Sequence, residues 1–115
     1  MGFDYRIERN IVIVSPFIPM DISGSPSLER FLSQVAEQYP EHDFILNMEK
    51  VRTINSAGVG VMIHFLDRMK RRQSRFIVSN LNFFAKKVMD FLDMETILDI
   101  YDIEEDAINS LSVKI

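Results

Sequence analysis

Apolar residues alternate with polar ones near the start of the chain, in the pattern of a half-buried strand. The alternation covers residues 3–8, and a β-branched run at 11–14 is typical of a more buried strand. Residues 9–10 between them predict a tight turn. Pro16 and Pro19 follow, and proline cannot donate a hydrogen bond to a sheet ladder. The pattern therefore predicts an opening β-hairpin that ends at these prolines.

Two longer segments carry apolar residues at helical spacing. The first begins at Ser25, the predicted N-cap, and closes at Pro40. The second begins after Ser56, whose side chain is predicted to cap it, and continues to about Arg72. A short apolar run at 44–46 lies between them and predicts a buried strand.

The last third of the chain continues this alternation. Asn82 is predicted to cap a third helix, and Asp102 a fourth, with Glu105 at capping-box spacing from Asp102. Strands are predicted at 76–78 and near 98–101. The apolar residues predicted for the third helix are Phe84, Val88, Phe91 and Leu92.

The predicted order of elements is β-β-α-β-α-β-α-β-α. Strands that alternate with helices after a hairpin predict an α/β fold, with a mixed, largely parallel sheet of about five strands and four helices. The chain has 115 residues, of which 47% are hydrophobic. This length and apolar content suit one core, so we expect a single domain over residues 1–115.

Composition and charge narrow the function. Cysteine is absent, which excludes disulfides, thiolate metal sites and a cysteine nucleophile. The net charge of −4 makes the chain a poor candidate for direct nucleic-acid binding, which depends on Lys and Arg. We interpret the basic cluster within residues 68–75 as the solvated end of the second helix. No signal-peptide pattern and no apolar stretch of about 20 residues is present, so we expect a soluble, cytoplasmic protein without membrane insertion.

The most informative segment runs from Asn55 to Gly60, because two glycines in one helical turn need a reason. Gly58 and Gly60 each cost roughly 1 kcal/mol of helix stability relative to alanine. Close packing of this turn, or the approach of a partner or ligand, would account for them.

Residues 44–63 resemble the signature of the STAS family, and more narrowly of the bacterial anti-sigma factor antagonists, also called anti-anti-sigma factors. That signature is an apolar strand ending in Asn or Asp, a loop, then Asp-Ser-Ser/Thr-Gly-Leu-Gly and an amphipathic helix. In this chain the strand ends at Asn47, and residues 55–60 are Asn-Ser-Ala-Gly-Val-Gly. The chain length and the order of elements agree as well, so the resemblance covers essentially the whole chain.

The resemblance implies a partner-switching, protein-binding regulator of transcription that is not an enzyme. In that family an anti-sigma factor that is also a serine kinase phosphorylates the serine after the Asp. A PP2C-type phosphatase reverses this step, and only the dephosphorylated form captures the kinase. The matching serine is Ser56, which makes this chain a phosphoprotein. The implied partner-binding residues are Asn55, Ser56, Ala57, Gly58 and Val59.

This chain departs from the family pattern at two positions beside the serine. Asn55 replaces the family's Asp, and Ala57 replaces its second Ser or Thr. Both changes bear on kinase recognition. They also leave open an alternative within the family, an accessory subunit of a transporter or signalling complex that is never phosphorylated. A third interpretation is that Ser56 serves only as a helix cap.

Enzyme and ligand sites have weaker support. Ser56 partly fits a hydrolase nucleophile elbow, but Ile54 stands where the first glycine is needed. Neither His42 nor His64 has an evident orienting carboxylate. A nucleotide loop is also incomplete, because Ile63 occupies the third glycine position. We therefore expect no catalytic residue, no metal and no cofactor.

Two further features concern contact surfaces. The free edge of the opening hairpin predicts that two copies could pair as a homodimer. Met62, Met69 and Met89 fall at core-like helical positions. Met20, Met48 and Met94 fall near loops, where an adaptable contact surface is the alternative, but we expect most of the methionines to fill the core.

Overall fold

The structure is a computed structural model that describes residues 2–112. It contains the predicted elements in the predicted order, with a short 3-10 turn at Met94–Thr96. The strands are β1 (Phe3–Glu8), β2 (Ile11–Pro16), β3 (Asp43–Asn47), β4 (Phe76–Ser79) and β5 (Asp99–Tyr101). The helices are α1 (Ser25–Gln38), α2 (Ser56–Arg71), α3 (Phe83–Phe91) and α4 (Glu104–Ser112).

The five strands form one sheet in the order β1-β2-β3-β4-β5. β1 pairs with β2 in antiparallel fashion, and every later pair is parallel. The predicted mixed, largely parallel α/β sheet with four helices is therefore confirmed. Because β2 to β5 are parallel, the loops that lead into the helices α1, α2 and α3 all leave from the same edge of the sheet.

The two faces of the sheet have separate cores. Leu32 of α1, Met62 of α2 and Met89 of α3 belong to the larger core, with alternate residues of β2, β3 and β4. Ala107 and Ile108 of α4 belong to the smaller core on the opposite face, again with alternate strand residues. Each central strand is thus buried on both faces, which explains why its sequence is a continuous apolar run.

The methionines near loops are buried, so the expectation that most methionines fill the core is confirmed and the alternative of a contact surface is wrong. Met20 and Met48 have no exposed surface, and Met94 is 2% exposed. Their flexible side chains fill the larger core beneath the loops instead.

The predicted caps of α1 and α4 are wrong. Gly24 is the N-cap of α1, and Ser25 is its first residue, because the carboxylate of Asp21 already accepts from the amides of Ser23 and Gly24. These hydrogen bonds, led by the one from the Ser23 hydroxyl, also hold the pKa of Asp21 below its usual value. The helix α4 begins at Glu104, beyond the predicted cap Asp102. The Asp102 carboxylate lies 3.4 Å from Nζ of Lys86 instead.

The basic cluster has a structural role at its centre. The guanidinium of Arg72 donates to the carbonyls of Ala36 (2.8 Å) and His42 (2.6 Å), so it links the end of α1 to the segment before β3. Arg71 pairs with Asp67, one turn earlier in α2. These contacts agree with the interpretation of the cluster as a helix end. Among residues 2–112, no helix combines the length and apolar character needed to span a membrane.

Candidate functional site

Hydrogen bonds hold the first residues of the loop between β3 and α2 (residues 48–55) against the sheet. The amide of Met48 donates to the carbonyl of Ser79 at 2.8 Å, which extends the pairing of β3 with β4. The side-chain amide of Asn82, the cap of α3, donates to the carbonyl of Val51 at 2.9 Å. The first half of the loop is therefore held between β4 and α3.

The second half of the loop is hydrogen-bonded to the segment between β2 and α1. Met20 and Ile54 form an isolated parallel bridge. In this bridge the amide of Met20 donates to the carbonyl of Thr53 (2.8 Å), and the amide of Asn55 donates to the carbonyl of Met20 (3.2 Å). The position of Asn55, and with it the start of α2, is thus set by main-chain contacts on both sides.

The residue that caps α2 is Asn55, so the prediction that Ser56 is the N-cap is wrong. Asn55 has an extended backbone (φ −138°, ψ −166°), and its side-chain oxygen accepts from the amide of Ala57 at 2.9 Å. Ser56 is the first residue of the helix. An asparagine is among the best N-caps, and here it takes the role that the sequence suggested for the serine that follows it.

The five predicted partner-binding residues divide into an exposed and a buried group. Asn55 and Ser56 are exposed, and Ala57 is half-buried. Gly58 and Val59 are buried, with Val59 only 4% exposed. The side chains available to a partner are therefore those of the first three residues, while the last two fix the helix against the body of the domain.

The two glycines of this turn have different surroundings. A β-carbon built on Gly58 would lie 2.4 Å from the carbonyl oxygen of Met20 and 2.8 Å from its β-carbon. Close packing therefore explains Gly58. A β-carbon built on Gly60 would have no atom within 4 Å. Packing within the domain therefore does not explain Gly60, and the approach of a partner or ligand at this position stays a prediction.

A groove of about 310 Å³ lies beside Ser56, between the first turns of α1 and α2. Ala57 and Gly60 form its α2 side, and Pro26 forms part of its α1 side. Ile22, which is 80% exposed, lies at the same groove. The sequence analysis overlooked Ile22, although a lone isoleucine within a polar loop was a signal that could have been used. The groove provides an apolar surface next to an exposed serine.

The surroundings of the histidines do not form a hydrolytic site. Nδ1 of His64 lies 3.4 Å from a carboxylate oxygen of Glu29, a partner that the sequence analysis missed. His64 is eight residues beyond Ser56 in the helix, which is about 12 Å along the axis and beyond hydrogen-bond reach. Within residues 2–112, no three His, Asp or Glu side chains are grouped so that they could hold a metal ion.

A polar network joins the start of the loop to the opposite face of the sheet. Asn47, which is 7% exposed, accepts from the amide of Glu49 (2.9 Å) and donates to the carboxylate of Glu104 (2.8 Å). Arg6 of β1 donates to the same carboxylate. Burial alone would raise the pKa of Glu104, but the hydrogen bonds from Arg6 and Asn47 and the charge of Arg6 outweigh burial and lower it.

We expect this network to make stability depend on pH in the acid range. Because the pKa of Glu104 is lowered on folding, its stabilising effect is complete above the unfolded pKa of about 4.3 and is lost as the pH falls through the folded pKa. A Glu104→Gln variant should be less stable than the parent by about 1 kcal/mol at neutral pH. Its difference from the parent should be much smaller at an acid pH below the folded pKa, where the parent carboxylate is protonated as well.

Urea unfolding at both pH values measures this difference. Glu105→Gln is the matched control, because Glu105 lies in the same helical turn but is exposed. We expect the control to stay close to the parent at both pH values. A Glu104→Gln variant that is equally destabilised at neutral and acid pH would contradict the assigned role of the carboxylate.

Known proteins resemble this chain over nearly its whole length. A model of the STAS domain matches residues 3–107 of this chain. The structure of the anti-sigma factor antagonist SpoIIAA in its unphosphorylated form is 20% identical, with a TM-score of 0.82 over 99% of both chains. The phosphorylated form of SpoIIAA, a cell fate determinant of Bacillus, is 22% identical, with a TM-score of 0.72 over 96% of this chain and 99% of that one.

A third similar structure is an anti-sigma-factor antagonist (STAS) domain protein from Planctomyces limnophilus. It is 11% identical, with a TM-score of 0.85 over 96% of this chain and 98% of that one. At such identities the likeness establishes a common fold, and the resemblance seen in the sequence is confirmed at that level. The roles of the individual site residues stay predictions.

Proposed function

The chain belongs to the STAS domain family, and on that premise we propose that it is an anti-sigma factor antagonist controlled by phosphorylation of Ser56. The unphosphorylated protein would capture an anti-sigma factor that is also a serine kinase. That kinase would transfer the γ-phosphoryl group of ATP to the hydroxyl oxygen of Ser56, with release of ADP and of the hydroxyl proton. A PP2C-type phosphatase would hydrolyse the phosphate and restore binding.

The observation that carries the proposal is the exposed hydroxyl of Ser56 at the first position of α2. Because Asn55 provides the cap, the fold does not use Ser56 for that purpose. The interpretation of Ser56 as a helix cap therefore loses its basis. An exposed serine at the end of a rigid helix, beside a groove, is accessible to a kinase and can be covered by a partner.

The electrostatics of this helix end suit a phosphate. The first turn of α2 contains no acidic side chain, and the cap is an uncharged Asn where the family has Asp. The amides at a helix N-terminus and the helix dipole favour an anion. The fold should therefore accept a phosphate on Ser56, whereas a tight interface over Ser56 would have to desolvate the added charge of about −1.5 to −2.

The groove supports partner binding at the same place. Ile22 and Ala57 offer an apolar contact, and the missing side chain at Gly60 leaves room for a group of the partner. Asn55, Ser56 and Ala57 would form the rim, supported from below by Gly58 and Val59. In this account the protein itself is a kinase substrate and a binding module in the cytoplasm, without catalysis or direct contact to nucleic acid.

The alternative is an accessory subunit of a transporter or signalling complex, in which Ser56 is never modified. Mass spectrometry of the protein isolated from its native cells, under several growth conditions, separates the two. We expect partial phosphorylation of Ser56 and a co-purifying ATPase of the histidine-kinase-like type. An unmodified Ser56 in every condition, together with a constant transporter or scaffold partner, would contradict the switch and support the subunit.

A further inference from the structure

The outer face of α3 carries an aromatic surface that the fold does not use. Phe83, Phe84 and Phe91 are 68%, 73% and 87% exposed, and we call these three residues the phenylalanine face. The side of the helix that packs against the domain is occupied by Ala85 and Met89. At about 200 Å² for each ring, the face offers roughly 450 Å² of apolar surface, a size that is often functional.

The charges along α3 run against the preference of an isolated helix. Lys86 and Lys87 lie in its N-terminal half, whereas Asp90 lies in its last turn and Asp93 follows directly. A helix dipole favours the reverse order, with acidic residues first and basic residues last. Nζ of Lys87 lies 4.9 Å from the centre of the Phe83 ring, so this charge belongs to the phenylalanine face. Lys86 is paired with Asp102 within the domain, so a contact from outside the helix would have to explain only Lys87 and Asp90.

We propose that α3 is a self-association surface through which two copies of this chain pair in antiparallel orientation about a twofold axis. Phe84 and Phe91 are seven residues apart, or two helical turns, and therefore lie on the same side of α3. In the pair, Phe84 of each copy packs against Phe91 of the other, and the twofold axis generates this contact twice. The same register brings Lys87 of each copy toward Asp90 of the other, which reverses the unfavourable charge order.

The acidic end of α3 carries negative charge that Lys86 of the same copy offsets only in part, since Lys86 lowers the pKa of Glu95 by less than the acidic neighbours raise it. Glu95, in the turn after the helix, lies against Asp90, and the hydrogen bond between the two carboxyl groups raises the pKa of Glu95. Two carboxyl groups in contact are relieved by a positive charge between them. Lys87 of a second copy would supply that charge.

A second copy fits this face better than a membrane does. Anionic lipid surfaces attract clusters of basic residues, whereas Asp90, Asp93 and Glu95 border the phenylalanine face, and the chain carries a net charge of −4. The apolar and charged parts of one helix complement each other under twofold symmetry, which is the requirement for an isologous dimer. The area falls short of the roughly 800 Å² per partner of a standard interface, so we expect a reversible dimer with a Kd in the micromolar range or weaker.

This surface belongs to α3, which connects β4 to β5, whereas the hairpin edge predicted from the sequence is β1, at the other end of the sheet. Sedimentation velocity measures this self-association. Protein concentrations from about 1 μM to about 500 μM cover the range of Kd expected for an interface of this size. The parent should shift from monomer to dimer, and Phe84→Glu and Phe91→Glu should remain monomeric throughout. Ile22→Glu is the control, because it removes an equally exposed apolar side chain elsewhere, and it should dimerise like the parent.

Charge exchange tests that the partner is a second copy in the proposed register. Lys87→Glu alone and Asp90→Lys alone should each weaken the dimer about tenfold or more, because each places like charges in contact. An equimolar mixture of these two variants should associate again, since each then offers the charge that the other lacks. A circular dichroism spectrum confirms that each variant is folded. A parent that stays monomeric over the whole range, a dimer that persists in Phe84→Glu, or a mixture that fails to associate would overturn the proposal.

Discussion

Replacing Gly58 with alanine should destabilise the protein by about 3 kcal/mol or more, the high end for an added methyl group in a packed site. The new β-carbon would meet the carbonyl oxygen of Met20 at 2.4 Å, and Ile54 lies only 3.1 Å away. That carbonyl cannot simply move, because it accepts from the amide of Asn55 in the contact that positions α2. Relief therefore requires a shift of either the helix or the segment between β2 and α1.

Gly60→Ala provides the matched comparison, since it adds the same methyl group two residues later in the same helix. With no atom within 4 Å of the new β-carbon, it should keep or raise stability, by up to about 1 kcal/mol from helix propensity. Thermal unfolding measures both variants. We expect a Tm lowered by more than about 10 °C for Gly58→Ala and one equal to or above the parent for Gly60→Ala. Equal Tm values for the two variants would show that the packing against Met20 is not what requires a glycine.

The fold was predictable because its strongest signals are local. The residues of β2, β3 and β4 are buried on both faces and form continuous apolar runs, whereas the edge strand β1 is mostly exposed. Proline and glycine mark the turns between these runs. Each pattern therefore reports the burial of its own element, without knowledge of the neighbours.

The helix starts were harder to predict, because several capping residues stand next to one another. Asn55 and Ser56 both cap helices well, and the choice depends on the backbone of the preceding loop, which Met20 sets from a distance of more than 30 residues in sequence. Ser25 is likewise not the N-cap predicted for it. Gly24 is the N-cap of α1, and its amide donates to the carboxylate of Asp21. Long-range contacts of this kind leave no trace in a local pattern.

The buried side of α3 could not be read from hydrophobicity alone. Phe84 and Phe91 are more apolar than Ala85, yet the alanine is 2% exposed and the phenylalanines face solvent. Where an apolar residue is retained for contact with another molecule, a pattern based on burial assigns it to the core.

Phosphorylation of Ser56 should lower the affinity for the anti-sigma factor kinase about 100-fold or more while the fold survives. A charge that must be desolvated without a partner at the centre of an interface costs several kcal/mol. On the free protein the same charge lies at the start of α2, where the first turn holds no acidic side chain, so stability should change by less than about 1 kcal/mol. The switch is therefore expected to act on the contact and not on the domain.

Ser56→Asp imitates part of this charge, and Ser27→Asp is its matched control. Ser27 is also in the first turn of a helix, α1, but does not line the groove, so the substitution adds the same charge in a comparable helical setting outside the proposed binding residues. Both variants should unfold at a Tm close to that of the parent, but only Ser56→Asp should lose affinity for the kinase in titration calorimetry. Equal affinity of the two variants would remove Ser56 from the interface.

The most direct measurement starts from the immobilised complex of the unphosphorylated protein with its kinase, to which ATP and magnesium are added. Release of the protein and phosphate on Ser56 are followed together, with the Ser56→Ala complex in parallel. We expect the parent to be released as Ser56 becomes phosphorylated, and the Ser56→Ala complex to remain bound. A complex that persists with Ser56 fully phosphorylated, or a Ser56→Ala complex that is released at the same rate as the parent, would contradict the account.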